Sequence, residues 1–258
     1  MYAFITGASS GIGKELSILL AQKGYHLILI GRRKNRLLAL KEKLESLYSI
    51  QVEINAVDIS IEANCKALLS QYASYPIEIV INNAGFGTLG YLSEQDIDNA
   101  LMMIKTNVIA PHIFTHYFAK HMKQGYILNV SSIAAFTHPP YFSTYGATKS
   151  YLYALSTAVN YEMKKQHKKV SVTTLCPGSV QTEFYRNGGK QPAIGILSAR
   201  TCANLALKGM FQKKALIIPT AGMKGTYLLT KLLPQNIMLP IQYFLQKKKK
   251  ELSVNRQF

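Results

Sequence analysis

Thr6-Gly7-Ala8-Ser9-Ser10-Gly11-Ile12-Gly13 separates two stretches of different periodicity. Before it, Tyr2-Ala3-Phe4-Ile5 is a short apolar run that reads as a buried strand. After it, Lys14 to Lys23 carries Leu16, Leu19 and Leu20 at helical spacing and stops at Gly24. A strand, a glycine turn and a helix in immediate succession predict a site for a pyrophosphate. The glycines let backbone approach the ligand, and the free N–H groups of the helix N-terminus face it.

The rest of the chain repeats the alternation. Tyr25 to Ile30, Gln51 to Val57, Ile77 to Ile81, Gly125 to Val130, Val170 to Leu175 and Leu216 to Pro219 read as strands with helical segments between them. That order predicts an α/β fold, a Rossmann-type doubly wound parallel sheet covered on both faces. A single domain over 1–221 is expected, with 222–258 as its helical extension.

Several strand ends carry polar or charged groups, and in an open α/β sheet ligands bind at the carboxyl ends of strands. After the second strand stands Gly31-Arg32-Arg33-Lys34, where a site for NAD would place an acid for the ribose 2′-hydroxyl. Arginine suits a 2′-phosphate through paired, charge-assisted bonds, so Arg32 and Arg33 predict NADP(H). Asp58, followed by Ile59, leaves two readings open: a hydrogen bond to the adenine amino group, or a cap on a helix beginning near Ser60. Asn82-Asn83-Ala84-Gly85 offers small and polar groups beside a ribose.

A helix expected from about Asp96 to His121 contains Asn107, which is unfavourable in mid-helix unless it has a task. Ser132 ends another strand without a nucleophile elbow around it, a position suited to orienting a carbonyl oxygen. In Ser143-Thr144-Tyr145-Gly146-Ala147-Thr148-Lys149, Tyr145 and Lys149 fall one helical turn apart on one face. A nearby ammonium favours the phenolate, so such a pair can donate or accept a proton at a substrate oxygen.

Composition bounds the alternatives. The 258 residues are 48% hydrophobic, enough for one sizeable core, and the formal net charge is +17. A basic excess points to nucleic acid, an anionic membrane or a polyanionic ligand. The cations are spread over many helices and no nucleic-acid motif occurs, so no nucleic-acid partner is expected. Cys65, Cys176 and Cys202 are odd in number without C-x-x-C spacing, which predicts a reducing, cytoplasmic setting. His112, His116 and His121 lack an acidic partner at ligand spacing, so they read as packing or interface histidines and no metal is expected. The first strand starts at once, so no leader is expected, and no apolar run of about 18 residues occurs.

Taken together, these residues resemble the short-chain dehydrogenases/reductases, in their NADP-preferring, lipid- and steroid-type branch. The likeness runs from residue 2 to about 220. It rests on Thr-Gly-Ala-Ser-Ser-Gly-Ile-Gly at 6–13, Asp58, Asn-Asn-Ala-Gly at 82–85, Asn107, Ser132, Tyr145 with Lys149, and Pro177-Gly178 with Thr182. The resemblance implies interconversion of a carbonyl and a secondary alcohol. Tyr145 would be the general acid or base and Lys149 its activator and a ribose ligand. Ser132 would bind the substrate oxygen, and Asn107 would position a proton-relaying water. It implies pyrophosphate and adenine-ribose contacts from Gly7, Ser9, Ser10, Gly11 and Ile12, and adenine contacts from Asp58 and Ile59. Asn83, Ala84 and Gly85 would line the adjoining ribose; Pro177, Gly178, Val180 and Thr182 would lie on the nicotinamide side. It also implies a homodimer or homotetramer, and a substrate lid from Glu183 to about Ser198 with hinges at Gly188-Gly189 and Gly195.

The extension stands apart. Tyr227 to Leu229, Leu232-Leu233, Ile237 to Leu239 and Ile241 to Leu245 are apolar clusters interrupted by Pro234 and Pro240 and mixed with Lys224, Lys231 and Lys247 to Lys250. This pattern suits peripheral contact with an anionic membrane, or an arm packed on protein. An apolar substrate, such as an oxo-lipid, a 3-oxoacyl chain or a steroid, is expected from the branch and the tail. A catalytically idle NADP-binding sensor or scaffold is the alternative, against which the intact Asn107, Ser132, Tyr145 and Lys149 speak.

Overall fold

Alternation along the strands decides how the layers form. In a computed structural model describing residues 1–186 and 197–254, Tyr2–Thr6 (β1), His26–Gly31 (β2), Val52–Ala56 (β3), Ile77–Asn82 (β4), Gln124–Val130 (β5), Lys169–Leu175 (β6) and Leu216–Ile217 (β9) form one parallel sheet in the order β3-β2-β1-β4-β5-β6-β9. Ile5, Leu27, Leu29, Ile79 and Ile81 point to one face. There they meet Gly11–Ala21 (α1), Lys34–Leu47 (α2) and Ala199–Phe211 (α8). Phe4, Ile28, Ile30 and Val80 point to the other, under Glu62–Gln71 (α3), Ala110–His121 (α5) and Ser143–Lys165 (α7). Phe4 and Phe114 are fully buried and meet edge-on, with ring centroids 5.1 Å apart. Burying each such side chain contributes roughly 1.5–3 kcal/mol.

The chain moves outward from β1 to β3, then returns to place β4 against the other side of β1. The strand order reverses there, so a crevice opens between the carboxyl ends of β1 and β4. The glycine turn follows β1 and Asn83-Ala84-Gly85 follows β4, so both motifs reach the same crevice.

Four details depart from the sequence reading. The helix expected from Asp96 to His121 is Ile97–Ile104 (α4), capped by the Asp96 side chain, then a π-helical turn at Lys105–Ile109, then α5. Asp58 caps no helix: α3 starts at Glu62, and Asp58 Oδ1 instead accepts from Ser60 N at 2.9 Å in a local turn. A small parallel pair, Val180–Gln181 (β7) with Leu197–Ser198 (β8), has no expected counterpart, because two-residue strands carry no periodicity. Pro234 separates Ala221–Leu232 (α9) from Gln235–Val254 (α10), but Pro240 lies inside α10 rather than ending it. Gly188, Gly189 and Gly195 lie outside the described residues. In the lysine run, only Lys247 has a described side chain.

The extension packs on the domain through few anchors. Gly178 N–H donates to Met223 Sδ of α9 at 3.1 Å, and a Cβ on Gly178 would fall 2.6 Å from Met223 Cε. Tyr243 of α10 joins Tyr91 and Tyr141 in a cluster of three hydroxyls: Tyr141 donates to Tyr91 at 2.7 Å, and Tyr91 and Tyr243 lie 3.1 Å apart.

Candidate active site

At the end of β5 the chain turns through Ser131-Ser132, and α7 crosses this strand end. Ser131 Oγ donates to Lys149 O at 2.7 Å and ties the helix to the turn. Lys149 points inward: its Nζ donates to Val130 O at 2.9 Å and lies 5.6 Å from the centroid of the Tyr145 ring. Only 4% of Lys149 is exposed. Burial disfavours the ammonium and lowers its pKa to about 8, with the neighbouring Cys176 thiol acting weakly the other way.

Tyr145 is buried in an aromatic slot. It stacks on Phe142 with centroids 4.3 Å apart, and Phe184 lies at 5.4 Å. Phe86, Met103 and Ala134 complete the apolar surroundings. Gly87 makes the slot possible, since a Cβ there would sit 2.7 Å from both Phe142 Cζ and Tyr145 Cδ2. The sequence reading stopped at Gly85 and missed Gly87, Phe86, Phe142 and Phe184. The second glycine, two residues beyond the Asn-Asn-Ala-Gly run, was the available signal.

Asn107 is fully buried in the π-helical turn, and its amide closes a ring with backbone. Oδ1 accepts from Phe86 N at 3.1 Å; Nδ2 donates to Phe86 O at 2.9 Å and to Thr148 Oγ1 at 3.1 Å. The extra residue of a π-turn points this side chain at the loop after β4 instead of at the next helical turn. A Cβ on Gly85 would fall 2.9 Å from Asn107 Oδ1 and 3.2 Å from Lys149 Nζ, so these three residues converge. Ser132 Oγ accepts from Ala134 N at 3.1 Å, while its own acceptor, Pro177 O, is distant at 3.5 Å.

The glycine turn takes the shape its sequence demands. Gly7 and Gly11 have φ of +67° and +56°, where a side chain would be strained. Asn83 does structural work here: its Nδ2 donates to Thr6 O and Gly7 O, both at 3.1 Å. Thr6 Oγ1, not singled out from the sequence, accepts from Asn83 N at 3.0 Å and Ala84 N at 3.1 Å. Thr182 closes over the turn, since a Cβ on Gly11 would lie 2.9 Å from its Cγ2. Val180 is buried beneath it, and Ile12 packs on the core. Ile59 is buried, and its carbonyl accepts from Cys65 Sγ at 3.2 Å.

The two arginines separate. Arg33 donates to Ser9 Oγ from Nε at 3.1 Å and from Nη2 at 3.0 Å, and also to Ser10 Oγ. Arg32 is exposed, with Nη1 3.8 Å from Asp58 Oδ2. Arg36, not singled out from the sequence, joins Arg33 on Glu183. The bonds from Arg36 and then Arg33 hold that carboxyl well down, at about 2. His112 meets Tyr151 OH at 2.8 Å across α5 and α7, and His121 packs on Tyr117. Among the described residues, no group of three or more His, Cys, Asp or Glu side chains could hold a metal ion.

Comparisons with known proteins agree with this architecture. The chain is 33% identical over 180 residues to a very-long-chain 3-oxoacyl-CoA reductase of Meyerozyma guilliermondii, a match covering 64% of this chain and 52% of that protein. It therefore spans about half the length of that relative. It is 27% identical over 247 residues to the 11-beta-hydroxysteroid dehydrogenase-like protein 4A of Arabidopsis thaliana, covering 90% of this chain and 80% of that one. A short-chain dehydrogenase from Sphingobium yanoikuyae, solved in complex with NADPH, superposes with a TM-score of 0.82 at 27% identity, covering 92% of this chain and 94% of the other. Residues 1–193 match the short chain dehydrogenase family model, and the chain belongs to that family.

Proposed function

We propose that this chain is an NADP(H)-dependent oxidoreductase that interconverts a carbonyl and a secondary alcohol, with an apolar substrate and Tyr145 as general acid or base. The observation that carries this reading is the buried Tyr145 phenol in a slot of Phe86, Phe142 and Phe184, one helical turn from a buried ammonium.

The residues present fit a dinucleotide. Gly7 and Gly11 leave a cradle that side chains would fill, and the Gly85 position would collide with Asn107 and Lys149 were it anything larger. Gly7, Ser9, Ser10, Gly11 and Ile12 would hold the pyrophosphate and adenine ribose, with Arg33 at the 2′-phosphate. Asp58 and Ile59 would flank the adenine. Ala84, Gly85 and Lys149 would line the second ribose, with Asn83 keeping the turn in shape. Pro177, Gly178, Val180 and Thr182 would bound the nicotinamide side. When bound, the nicotinamide supplies or accepts the hydride.

The chain's own groups handle the proton. In reduction, negative charge grows on the carbonyl oxygen. The Ser132 hydroxyl, whose acceptor among the described residues is Pro177 O at 3.5 Å, can turn its proton to that oxygen. Tyr145 delivers its phenolic proton there, and the Lys149 ammonium beneath the ring stabilises the phenolate left behind. In oxidation, Tyr145 takes the proton instead. The aromatic slot excludes water from the reacting oxygen and favours an oxo-lipid, 3-oxoacyl or steroid-like ketone over a small hydrated aldehyde. The names of the yeast and plant relatives support that choice.

We further place the protein as a homodimer or homotetramer, and its extension on an anionic membrane surface. The central test is consumption of NADPH with a panel of oxo-lipids, steroid ketones and small aldehydes. Apolar ketones are expected to turn over, and Tyr145→Phe to retain NADPH binding while losing roughly 10²- to 10⁴-fold in kcat. Turnover within tenfold of wild type in Tyr145→Phe removes the tyrosine from the mechanism. A wild-type protein that binds NADPH tightly and turns over nothing on the panel returns it to the scaffold class.

A further inference from the structure

Arg33 stands at the N-terminal boundary of α2 and Arg36 in its first turn, where the helix dipole disfavours cations. No acidic residue occupies that first turn to offset them. Their partner comes from the far side of the crevice. Glu183 opens the 3₁₀ turn Glu183–Arg186, just after β7. Its Oε2 accepts from Arg33 Nη1 at 2.5 Å, and Arg36 Nη1 donates to Oε1 and Oε2 at 2.8 and 2.7 Å. The other face of the Arg33 fork holds Ser9 and Ser10 of the glycine turn. A carboxylate tethered to the nicotinamide-side turn therefore occupies an anion site made by two guanidiniums beside the adenine-ribose turn.

We propose that the Glu183 carboxylate holds the place taken by the 2′-phosphate of NADP(H), so that this phosphate displaces it and frees the Thr182–Phe184 turn from α2. The proposal rests on the NADP(H) reading above and adds Arg36 and Glu183 to the residues that set cofactor choice. NAD(H), which carries no 2′-phosphate, leaves the contact in place. A phosphate dianion offers more charge and more acceptor oxygens to the two forks than one carboxylate does, which drives the exchange. The tether makes Glu183 a competitor that every 2′-phosphorylated ligand must displace.

Calorimetric titration of the full chain with 2′-AMP, 5′-AMP, NADPH and NADH at low ionic strength tests this without turnover. Glu183→Gln keeps the shape and removes the charge. It is expected to tighten 2′-AMP and NADPH by roughly twofold to tenfold, the range of an exposed ion pair, and to change 5′-AMP and NADH by less than about twofold. Arg36→Met should weaken 2′-AMP and erase most of the gain from Glu183→Gln. Unchanged or weaker 2′-AMP binding in Glu183→Gln, in a protein that prefers 2′-AMP to 5′-AMP, overturns the displacement alone. Equal tightening of 2′-AMP and 5′-AMP also overturns it, because a general field effect then explains the gain. A wild-type protein with no preference between the two nucleotides sinks the NADP(H) reading and the displacement with it.

Discussion

At the scale of single residues, Lys149 is an ionisable group placed where its charge is unfavourable. Burial lowers its pKa from 10.5 to about 8, and the protein keeps it in place with one carbonyl, Val130 O. The depressed folded-state value means that between those two pH values the unfolded chain binds more protons than the native one. Stability at this residue therefore rises as pH climbs from about 8 to 10.5, and the destabilising contribution is fully present below 8. Lys149→Met removes the titration. The variant's stability relative to wild type is expected to fall by about 3 kcal/mol between pH 7 and pH 10.5. Chemical denaturation of both proteins across that range checks it, and a flat difference would mean the ammonium is not desolvated. Tyr145 and Lys149 were legible because four-residue spacing on a helix is a local property. The slot around Tyr145 was not, because Gly87, Phe142 and Phe184 come from three separate segments whose meeting has no local signature.

At the scale of elements, the π-helical turn at Lys105–Ile109 converts a helical asparagine into a brace for the loop after β4. The sequence showed that Asn107 was out of place in a helix but not what it would hold, since its partner is the backbone of Phe86, 21 residues away. Asn107→Ala leaves the half-buried Phe86 N–H and C=O without that partner. A buried group left unpaired costs about 1–3 kcal/mol and a half-buried one less, so a loss of roughly 1–3 kcal/mol is expected for the pair. Urea unfolding measures it, and a loss under about 0.5 kcal/mol would mean the Phe86 backbone finds other partners at once. The same contrast between local and distant information explains Arg36 and Pro240. Arg36 has an ordinary surface-helix context, and its partner Glu183 lies 147 residues on. Pro240 reads as a helix breaker, yet α10 continues through it, with Met238, Gln242 and Gln246 buried and the Tyr243 hydroxyl 3.1 Å from that of Tyr91. The β1 to β6 frame was legible throughout because apolar runs bounded by glycine and polar turns recur at strand ends.

At the scale of the whole molecule, the extension arranges its faces the wrong way round for a helix packed only on its own domain. In α10 the buried positions include Gln242 and Gln246, while Ile237, Ile241, Phe244 and Leu245 face outward. Phe244 is 72% exposed. Helix α9 has no fully buried residue and turns Leu228, Leu229 and Leu232 outward. Lys224, Lys231 and Lys247 are exposed among these apolar groups, within a chain of net charge +17. No helix among the described residues is long and apolar enough to cross a membrane. The membrane placement proposed above would lay this surface flat on lipid, with the lysines at the headgroups. Each lysine near an anionic surface contributes about 1 kcal/mol, and this attraction is screened by salt, whereas insertion of Phe244 and Ile241 is not. The two contributions are thus separable in one sedimentation experiment. The protein is expected to pellet with phosphatidylcholine vesicles containing phosphatidylserine far more than with phosphatidylcholine alone, and raised salt should release most of it. Ile241→Glu with Phe244→Glu should abolish pelleting even at low salt while leaving NADPH binding intact, because both side chains are exposed on α10, outside the residues assigned to the cofactor. Pelleting that ignores lipid charge, or that survives the double substitution, would refute the membrane placement; a mass doubling by light scattering that the same substitution reverses would assign the outer face of α10 to a second copy of the chain.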